Sequence, residues 1–174
     1  MKKESLFASL IGSLYCYKRR FFPPDAGLFP KQIDVEVTNA CNLDCIICPR
    51  SSMTRPIGNM SMGLFTEIIN QVSEFGLEHM DLSLFGEPLL NPDIFKMAYL
   101  AKTKGKVKHL YTSTNALLLD DKKSKEILEC GFDKIILSID GASKETYEKI
   151  RKKGNYEEVI EKTRFSAFKA YGRL

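Results

Sequence analysis

The sequence predicts an α/β fold built on a parallel β-sheet, and three observations lead to this prediction. Short apolar segments alternate along the 174 residues with longer amphipathic ones, in the order β-α-β-α-β-α-β-α. The strands expected near Met80, Val107 and Lys134 begin 27 residues apart, a regular spacing typical of repeated βα units. Each of the four strands is also followed by a polar motif, as is usual where parallel strands end at a functional site.

The composition is that of an ordinary globular domain, with 44% hydrophobic and 28% charged residues. The formal net charge of +4 is small, and no basic block is interleaved with aromatic residues, so nucleic acid binding is not expected. The five cysteines are odd in number and unevenly spread, which disfavours a secreted disulfide scaffold. We therefore expect the protein to work in a reducing compartment, the cytoplasm.

Residues 1–30 are predicted to form a basic, helical extension that ends in a Pro-rich linker, and residues 31–174 to form the core domain. The extension faintly resembles a signal peptide. Its apolar run is interrupted by Ser9, Gly12 and Ser13 and is too short to span a bilayer, so a helix at the protein surface is favoured. Association with a membrane surface is the weaker alternative.

The first strand is predicted over residues 31–40 and the first helix over residues 61–76, with Gly76 at the helix end. The apolar positions that alternate in the strand are Ile33, Val35 and Val37. The apolar face of the helix is predicted to comprise Leu64, Ile68, Ile69 and Val72. The first two strands begin 47 residues apart, 20 more than the other intervals, because a cysteine-rich loop is inserted between them.

The remaining elements are marked by residues that begin and end helices. Strands are predicted over residues 79–86, 106–116 and 133–141, and helices over 91–105, 120–131, from 143 onward and over 155–172. Asn91 is the expected cap of its helix, and Gly105 and Gly131 are the expected helix ends. Asn155 and Glu158 have the spacing of a capping box at the start of the last helix.

Four polar motifs follow the four strands in turn. They are CNLDCIICP at 41–49, FGEP at 85–88, TSTNA at 112–116 and SIDGAS at 138–143. Because the carboxyl ends of parallel strands lie at one edge of a sheet, these motifs are expected to converge on one site.

Cys41, Cys45 and Cys48 fall within eight residues and suggest a metal centre. Three thiolates can ligate three corners of an iron–sulfur cube and leave the fourth iron open. The alternative is a structural zinc ion, completed by His79 or His109. Zinc ligands usually occur in pairs of cysteines, and both histidines are predicted near the starts of their strands, at the opposite edge.

The other motifs have both a structural and a ligand-binding interpretation. Gly86 permits a close backbone approach, and Glu87 with nearby carbonyls can accept hydrogen bonds from a ligand ammonium group. A turn is by itself the favoured explanation of Thr114 and Asn115, and it explains Ser138 and Asp140 equally well. Arg151 either ends a solvated helix or reaches a ligand carboxylate.

The C-x3-C-x2-C loop after the first strand resembles the signature of the radical S-adenosylmethionine (radical SAM) superfamily. Gly86, Glu87 and Pro88 are similar to the Gly-Gly-Glu-Pro segment of that family, with Phe85 in place of its first glycine. The STN and LSIDG segments also match strand-end positions of the family. The resemblance covers roughly residues 31–162, and the segment from SIDG onward is most similar to the SPASM or twitch branch.

The resemblance implies a [4Fe–4S] cluster on Cys41, Cys45 and Cys48, with S-adenosylmethionine chelating the open iron. Reductive cleavage of this cosubstrate would give a 5′-deoxyadenosyl radical that abstracts a hydrogen from an unknown substrate, such as a peptide or a cofactor precursor. No residue beyond the cluster ligands is assigned a catalytic role. The cosubstrate-binding set is expected to be Phe85, Gly86, Glu87, Pro88, Thr114, Asn115, Ser138, Asp140 and Arg151.

The resemblance also implies a partial (βα) TIM-like barrel of six βα units, of which this chain offers about four. We therefore expect a C-terminally incomplete domain that binds a cluster but turns over poorly. Expected partners are a flavodoxin- or ferredoxin-like electron donor, the substrate, and a partner that covers the open sheet edge at the fourth strand. The alternatives are a non-catalytic remnant that keeps the cluster loop and a zinc-binding structural domain.

Overall fold

A four-stranded parallel sheet organises the chain. The computed structural model describes the backbone of residues 30–171 and the side chains of residues 30–164. The strands are β1 Gln32–Asp34, β2 His79–Asp81, β3 His109–Thr114 and β4 Lys134–Leu137. The helices are α1 Met62–Phe75, α2 Ile94–Thr103, α3 Asp121–Glu129, α4 Lys144–Ile150 and α5 Tyr156–Tyr171, with 3₁₀ turns at Pro49–Ser52 and Pro88–Leu90. The predicted extension over residues 1–29 lies outside the described residues, so the domain boundary near Lys31 stays a prediction.

The strand order β1-β2-β3-β4 follows the sequence, and every neighbouring pair is parallel. With right-handed crossovers, this order puts the connecting helices on one face of the sheet, as in a βα barrel wall. Side chains on that face are buried, among them Met80, Leu110 and Thr112. Those on the other face, such as His79 and Tyr111, stay partly exposed. The predicted parallel α/β sheet is therefore confirmed.

All four strands are shorter than the sequence predicts, with β3 limited to His109–Thr114 and β4 to Lys134–Leu137. β1 ends at Asp34 although Val35 and Val37 beyond it are buried, and β2 ends at Asp81 rather than near Gly86. After these points the two segments leave the ladder and turn toward each other, so that the amide of Glu87 donates to the carbonyl of Ala40 at 2.7 Å. These two strands end early because their continuations build the edge described below.

The predicted apolar face of α1 is confirmed at Ile69 and Val72, is only partly buried at Ile68 and is wrong at Leu64. Phe65, Ile69 and Val72 are its buried residues, whereas Leu64 is half exposed. Positions i, i+4 and i+7 of a helix share one face. Phe65, Ile69 and Val72 have this spacing, so Leu64 lies beside the buried face rather than on it. The large aromatic side chain takes the core position.

Asn91 does not cap α2, contrary to the prediction, because the helix begins at Ile94 with Asp93 at its N-cap. The fully buried Asn91 side chain donates to the carbonyl of Val37 at 2.8 Å and accepts from the amide of Asp93 at 2.9 Å. It therefore links the continuation of β1 to the start of α2. At the last helix, Asn155 accepts from the amide of Glu158 as predicted.

The loop inserted after β1 is secured at its far end by two side chains. Thr38 donates to the carbonyl of Gly58 at 3.1 Å, and Asn39 accepts from the amide of Gly58 at 2.7 Å while donating to the carbonyl of Pro56. Thus the insertion leaves the sheet and returns to the same point. Between residues 30 and 171, no helix combines the length and apolarity that crossing a bilayer requires.

Asp133, just before β4, joins two strands at their amino ends. Its carboxylate accepts from the amide of Leu110 at 2.7 Å and from the ammonium group of Lys102 at 2.9 Å. Burial pushes the pKa of Asp133 upward, but these two donors together hold the pKa below its ordinary value. The ionised carboxylate is therefore the form that stabilises the fold.

We expect Asp133→Asn to lower the free energy of unfolding at pH 7, measured by urea denaturation. A depressed pKa in the folded state gives stability that is present above the unfolded pKa of about 3.9 and is lost as pH falls through the lower folded value. The difference from wild type should therefore shrink at pH 3. Glu129→Gln, in an exposed pair with Lys125, is the control and should change stability by less than about 0.5 kcal/mol. An equal difference at both pH values would contradict the assignment.

Candidate functional site

The carboxyl ends of the four strands surround one cavity of about 280 Å³. Its lining consists of Cys41, Leu43, Cys45, Ile47, Cys48, Pro49, Arg50, Leu84, Phe85, Gly86, Glu87, Ser113, Thr114, Asn115, Ser138 and Arg151. Ten of the twelve predicted site residues are in this set. The two that are not are Pro88, which is buried at the start of a 3₁₀ turn, and Asp140.

The three clustered cysteines are free thiols, each half-buried at the cavity. Burial raises the pKa of Cys41, and burial likewise raises that of Cys45, although the guanidinium of Arg151 acts in the opposite direction. Such thiols hold their protons at neutral pH until a metal displaces them. The cavity thus brings three thiols together, and burial disfavours the charged form of Cys41 and Cys45.

Backbone hydrogen bonds fix the cysteine loop against the segment that follows α4. The amide of Asp44 donates to the carbonyl of Lys152 at 3.0 Å, and that of Ile46 donates to the carbonyl of Ile150 at 2.9 Å. Because these two amides flank Cys45, they set the position of its thiol. A segment more than 100 residues away in sequence therefore holds the middle of the loop.

Basic side chains surround the loop. Asp44 pairs with Arg50 at 2.6 Å and with Lys153 at 2.5 Å. Both cations hold the pKa of Asp44 below its ordinary value, and Lys153 has the larger effect. Arg50 also donates to the carbonyl of Leu43 at 2.7 Å. These contacts fix the loop and leave the environment of the cysteines positively charged.

Arg151 lies at the cavity and is held there by Asp140. The guanidinium donates to the carboxylate of Asp140 from Nε at 2.7 Å and from Nη2 at 2.5 Å. Asp140 therefore orients the arginine from outside the lining. The prediction that both belong to one site agrees with this contact, while their ligand-binding roles remain predictions.

Glu87 is only 2% exposed, and both of its carboxylate oxygens are engaged within the protein. One oxygen accepts from the hydroxyl of Thr114 at 2.8 Å and from the amide of Leu89 at 3.2 Å. The other accepts from the amide of Asn115 at 2.8 Å. Burial raises the pKa of Glu87, and these donors oppose the rise. In this structure the carboxylate joins the ends of β2 and β3.

Gly86 is required by a close approach of the chain to itself. A Cβ atom at Gly86 would lie 2.0 Å from the carbonyl oxygen of Thr38 and 2.9 Å from that of Ala40. The sequence indicated a close approach to a ligand, whereas this contact is with the segment that leads into the cysteine loop. No side chain fits there without displacing backbone.

Six lining residues were missed by the sequence interpretation or named only within a motif, namely Leu43, Ile47, Pro49, Arg50, Leu84 and Ser113. Ser113 directly precedes the predicted Thr114. Because side chains alternate along a strand, these two side chains lie on opposite faces of β3, and this alternation could have drawn attention to Ser113 in the sequence. The hydroxyl of Ser113 bonds that of Ser83 at 2.9 Å. Arg50 directly follows the last cysteine and its proline, and nothing in its pattern distinguished it from a surface arginine.

The donor set fits an iron–sulfur cluster better than a single metal ion. Each iron of a cubane takes one thiolate, so three cysteines need only line a common cavity. Among the residues that the structure describes, no three His, Cys, Asp or Glu side chains converge as one metal ion requires. His79 and His109 stack on each other at 4.9 Å at the amino ends of their strands and do not line the cavity.

Comparisons with known proteins agree with this geometry. The model of the radical SAM superfamily matches residues 35–165. The chain is 32% identical over 123 residues to the AdoMet-dependent heme synthase of Methanosarcina barkeri, covering 70% of this chain and 34% of that protein. It is 31% identical over 126 residues to a probable GTP 3′,8-cyclase of Methanococcus maripaludis, covering 72% of this chain and 41% of that protein.

A solved structure confirms the fold. The crystal structure of Streptococcus suis SuiB bound to S-adenosylmethionine superposes with a TM-score of 0.65 at 19% identity, covering 79% of this chain and 31% of that chain. The matched region spans about a third to two fifths of the length of the two curated relatives. The four strands and their helices thus correspond to part of a radical SAM barrel.

We expect Gly86→Ala to destabilise the fold, because the added methyl group would overlap the backbone of Thr38. Overpacking of this kind costs about 1–3 kcal/mol. Gly63→Ala is the matched control, since its Cβ would meet nothing closer than 3.8 Å near the start of α1. That change should be neutral or stabilising by up to about 1 kcal/mol. Urea denaturation of both variants tests this, and similar stabilities for the two would contradict the proposed contact.

Proposed function

The chain belongs to the radical SAM superfamily, and from that membership we propose that it is a radical SAM enzyme core. In this proposal Cys41, Cys45 and Cys48 hold a [4Fe–4S] cluster, and the cavity beside them binds S-adenosylmethionine. This family uses both cofactors. The observation that carries the proposal is that three half-buried thiols share one cavity with residues from all four strand ends.

The cosubstrate site is proposed to be formed by the residues predicted from the sequence, some as direct ligands and others as supports. Arg151, oriented by Asp140, offers a guanidinium to a carboxylate, since a bidentate arginine matches that group. The backbone of the segment from Phe85 to Pro88 offers carbonyl groups to an ammonium group. The hydroxyl of Ser138 and the amide of Asn115 are polar groups at the same cavity.

Glu87 and Thr114 are proposed to act as supports rather than as direct ligands. Their mutual hydrogen bond fixes the cavity wall, so the groups that would touch the cosubstrate are held before binding. When bound, the cluster would supply the electron that cleaves the sulfonium carbon–sulfur bond and so generates a 5′-deoxyadenosyl radical for hydrogen abstraction. The protein's residues bind, orient and exclude water around that chemistry.

The substrate and partners are proposed at the level of class. The enzyme requires a low-potential electron donor, flavodoxin- or ferredoxin-like, and a substrate that is a peptide or a cofactor precursor. The SPASM or twitch branch is proposed from the sequence after Ser138. Among the described residues β4 pairs only with β3, so a further strand or a partner is proposed to cover its outer edge.

Cys45→Ala should abolish both cluster binding and cosubstrate cleavage, because it removes one of three iron ligands. Wild type reconstituted without oxygen is expected to hold about four iron and four sulfide per chain, the content of a cubane. The measurements are iron and sulfide content, and 5′-deoxyadenosine formed from S-adenosylmethionine with dithionite. Cys130→Ala is the matched control, because this buried cysteine lies outside the cavity lining and should leave both unchanged.

The same measurements separate the competing functions. Stoichiometric zinc without sulfide would replace the proposal by a zinc-binding structural domain. A full cluster without any 5′-deoxyadenosine would favour a non-catalytic cluster-binding module. A Cys45→Ala chain that still held four iron atoms and four sulfides would refute the ligand assignment itself.

A further inference from the structure

The side chain of Asn115, the residue that follows β3, lies against the first cysteine of the loop. Asn115 is only 4% exposed. Its amide nitrogen Nδ2 donates to Oδ1 of Asn42 at 2.8 Å and lies 4.0 Å from Sγ of Cys41. The two residues are 74 positions apart, so they meet only because the carboxyl end of β3 faces the loop. A buried amide group is thus placed beside one of the three proposed iron ligands.

Hydrogen bonding determines which end of the Asn115 side chain faces the cysteine. Its oxygen Oδ1 accepts from the backbone amide of Leu117 at 3.0 Å, and a backbone N–H group can only donate. The nitrogen Nδ2 must therefore be on the side of Asn42 and Cys41. An amide NH₂ group carries two hydrogens. One of them is used by Asn42, and the other is available to the sulfur of Cys41.

A backbone donor reaches the same sulfur. The amide of Leu43 donates to Sγ of Cys41 at 3.4 Å. Cys45 has a different neighbour, the charged guanidinium of Arg151, which also donates to Asp140. The surroundings of the two cysteines therefore differ. Cys41 meets neutral N–H groups that the fold holds in place, whereas the donor beside Cys45 is a cation that is proposed to bind the cosubstrate.

We propose that Asn115 is a positioning residue that donates an N–H···S hydrogen bond to the thiolate of Cys41 and thereby raises the reduction potential of the cluster. The inference rests on the proposed function, which assigns a cluster to this cysteine. Hydrogen bonds to the ligand sulfurs are among the factors that set the potential of an iron–sulfur centre. A thiolate accepts more strongly than a thiol, and one-electron reduction adds negative charge that an N–H donor stabilises.

A purely structural role for Asn115 predicts a different pattern of effects. The bond from Asn115 to Asn42 holds the loop against the end of β3, and that bond is lost when either residue is replaced by alanine. The hydrogen on the side of Cys41 is lost only when Asn115 is replaced. Asn42→Ala is therefore the matched control, because it removes the structural bond and leaves Nδ2 of Asn115 in the chain.

Redox titration of the anaerobically reconstituted chain with dithionite, followed by electron paramagnetic resonance without cosubstrate, measures the potential. Asn115→Ala should lower the equilibrium constant for reduction by about tenfold, which is about 59 mV for a one-electron couple. Asn115→Asp should lower it further at pH 8, because it keeps the acceptor for Leu117 but puts an ionised carboxylate beside the sulfur. Asn42→Ala should stay within about twofold of wild type, since the donor to the sulfur is kept.

The outcomes separate this inference from the proposed function. An unchanged potential in an Asn115→Ala chain that holds about four iron and four sulfide would overturn the inference alone. An equal shift in Asn42→Ala would also overturn it, because the effect would then come from the position of the loop. If Asn115→Ala takes up no cluster, Asn115→Asp decides in the same way, and failure of both to take up a cluster would count against a residue that only tunes the potential. Wild type without a cluster would refute the proposed function and this inference with it.

Discussion

The buried carboxylate of Glu87 is the constraint on which the site edge depends. A carboxyl group with 2% exposure is costly to bury unless protein donors replace its hydrogen bonds to water, and here a hydroxyl and two amides do so. Those donors come from the segment after β2 and from the carboxyl end of β3, so the two strand ends cannot separate without leaving a buried carboxyl group unsatisfied. The amide of the same residue holds Ala40, which leads into the cysteine loop. One residue thus relates three of the four strand ends.

The fourth strand end joins the site through charge rather than through burial. Arg151 follows α4 and pairs with Asp140 after β4, while its neighbours Ile150 and Lys152 hold the loop amides. Lys153 closes this arrangement on Asp44. The exposed pair of Lys153 and Asp44 contributes little stability by itself, so the backbone hydrogen bonds of residues 150 and 152 carry most of the positional control of the loop. The ion pairs decide which charges surround the thiols.

Much of this edge could be predicted from the sequence, because it follows from topology. Alternating strands and helices imply a parallel sheet, and a parallel sheet brings the residues after each strand together. What could not be predicted depended on contacts between distant segments. Three contacts exist only in the tertiary fold. They are the hydrogen bonds that Thr114 and Asn115 donate to Glu87, the buried hydrogen bond from Asn91 to Val37, and the close packing of Gly86 on Thr38. The misplacement of Leu64 was of another kind, because Phe65 has the better spacing to Ile69 and Val72 and the sequence alone carries that signal.

The hold of residues 150–152 on the cysteine loop has a consequence for how the protein is made. The loop leaves the ribosome roughly 100 residues before the segment that fixes it. At about 5–20 residues per second, this leaves an interval of about 5–20 s in which the three thiols are synthesised but not yet positioned. During that time they are open to oxidation. The thiols therefore reach their final arrangement only after the segment that follows the fourth strand has docked on the loop.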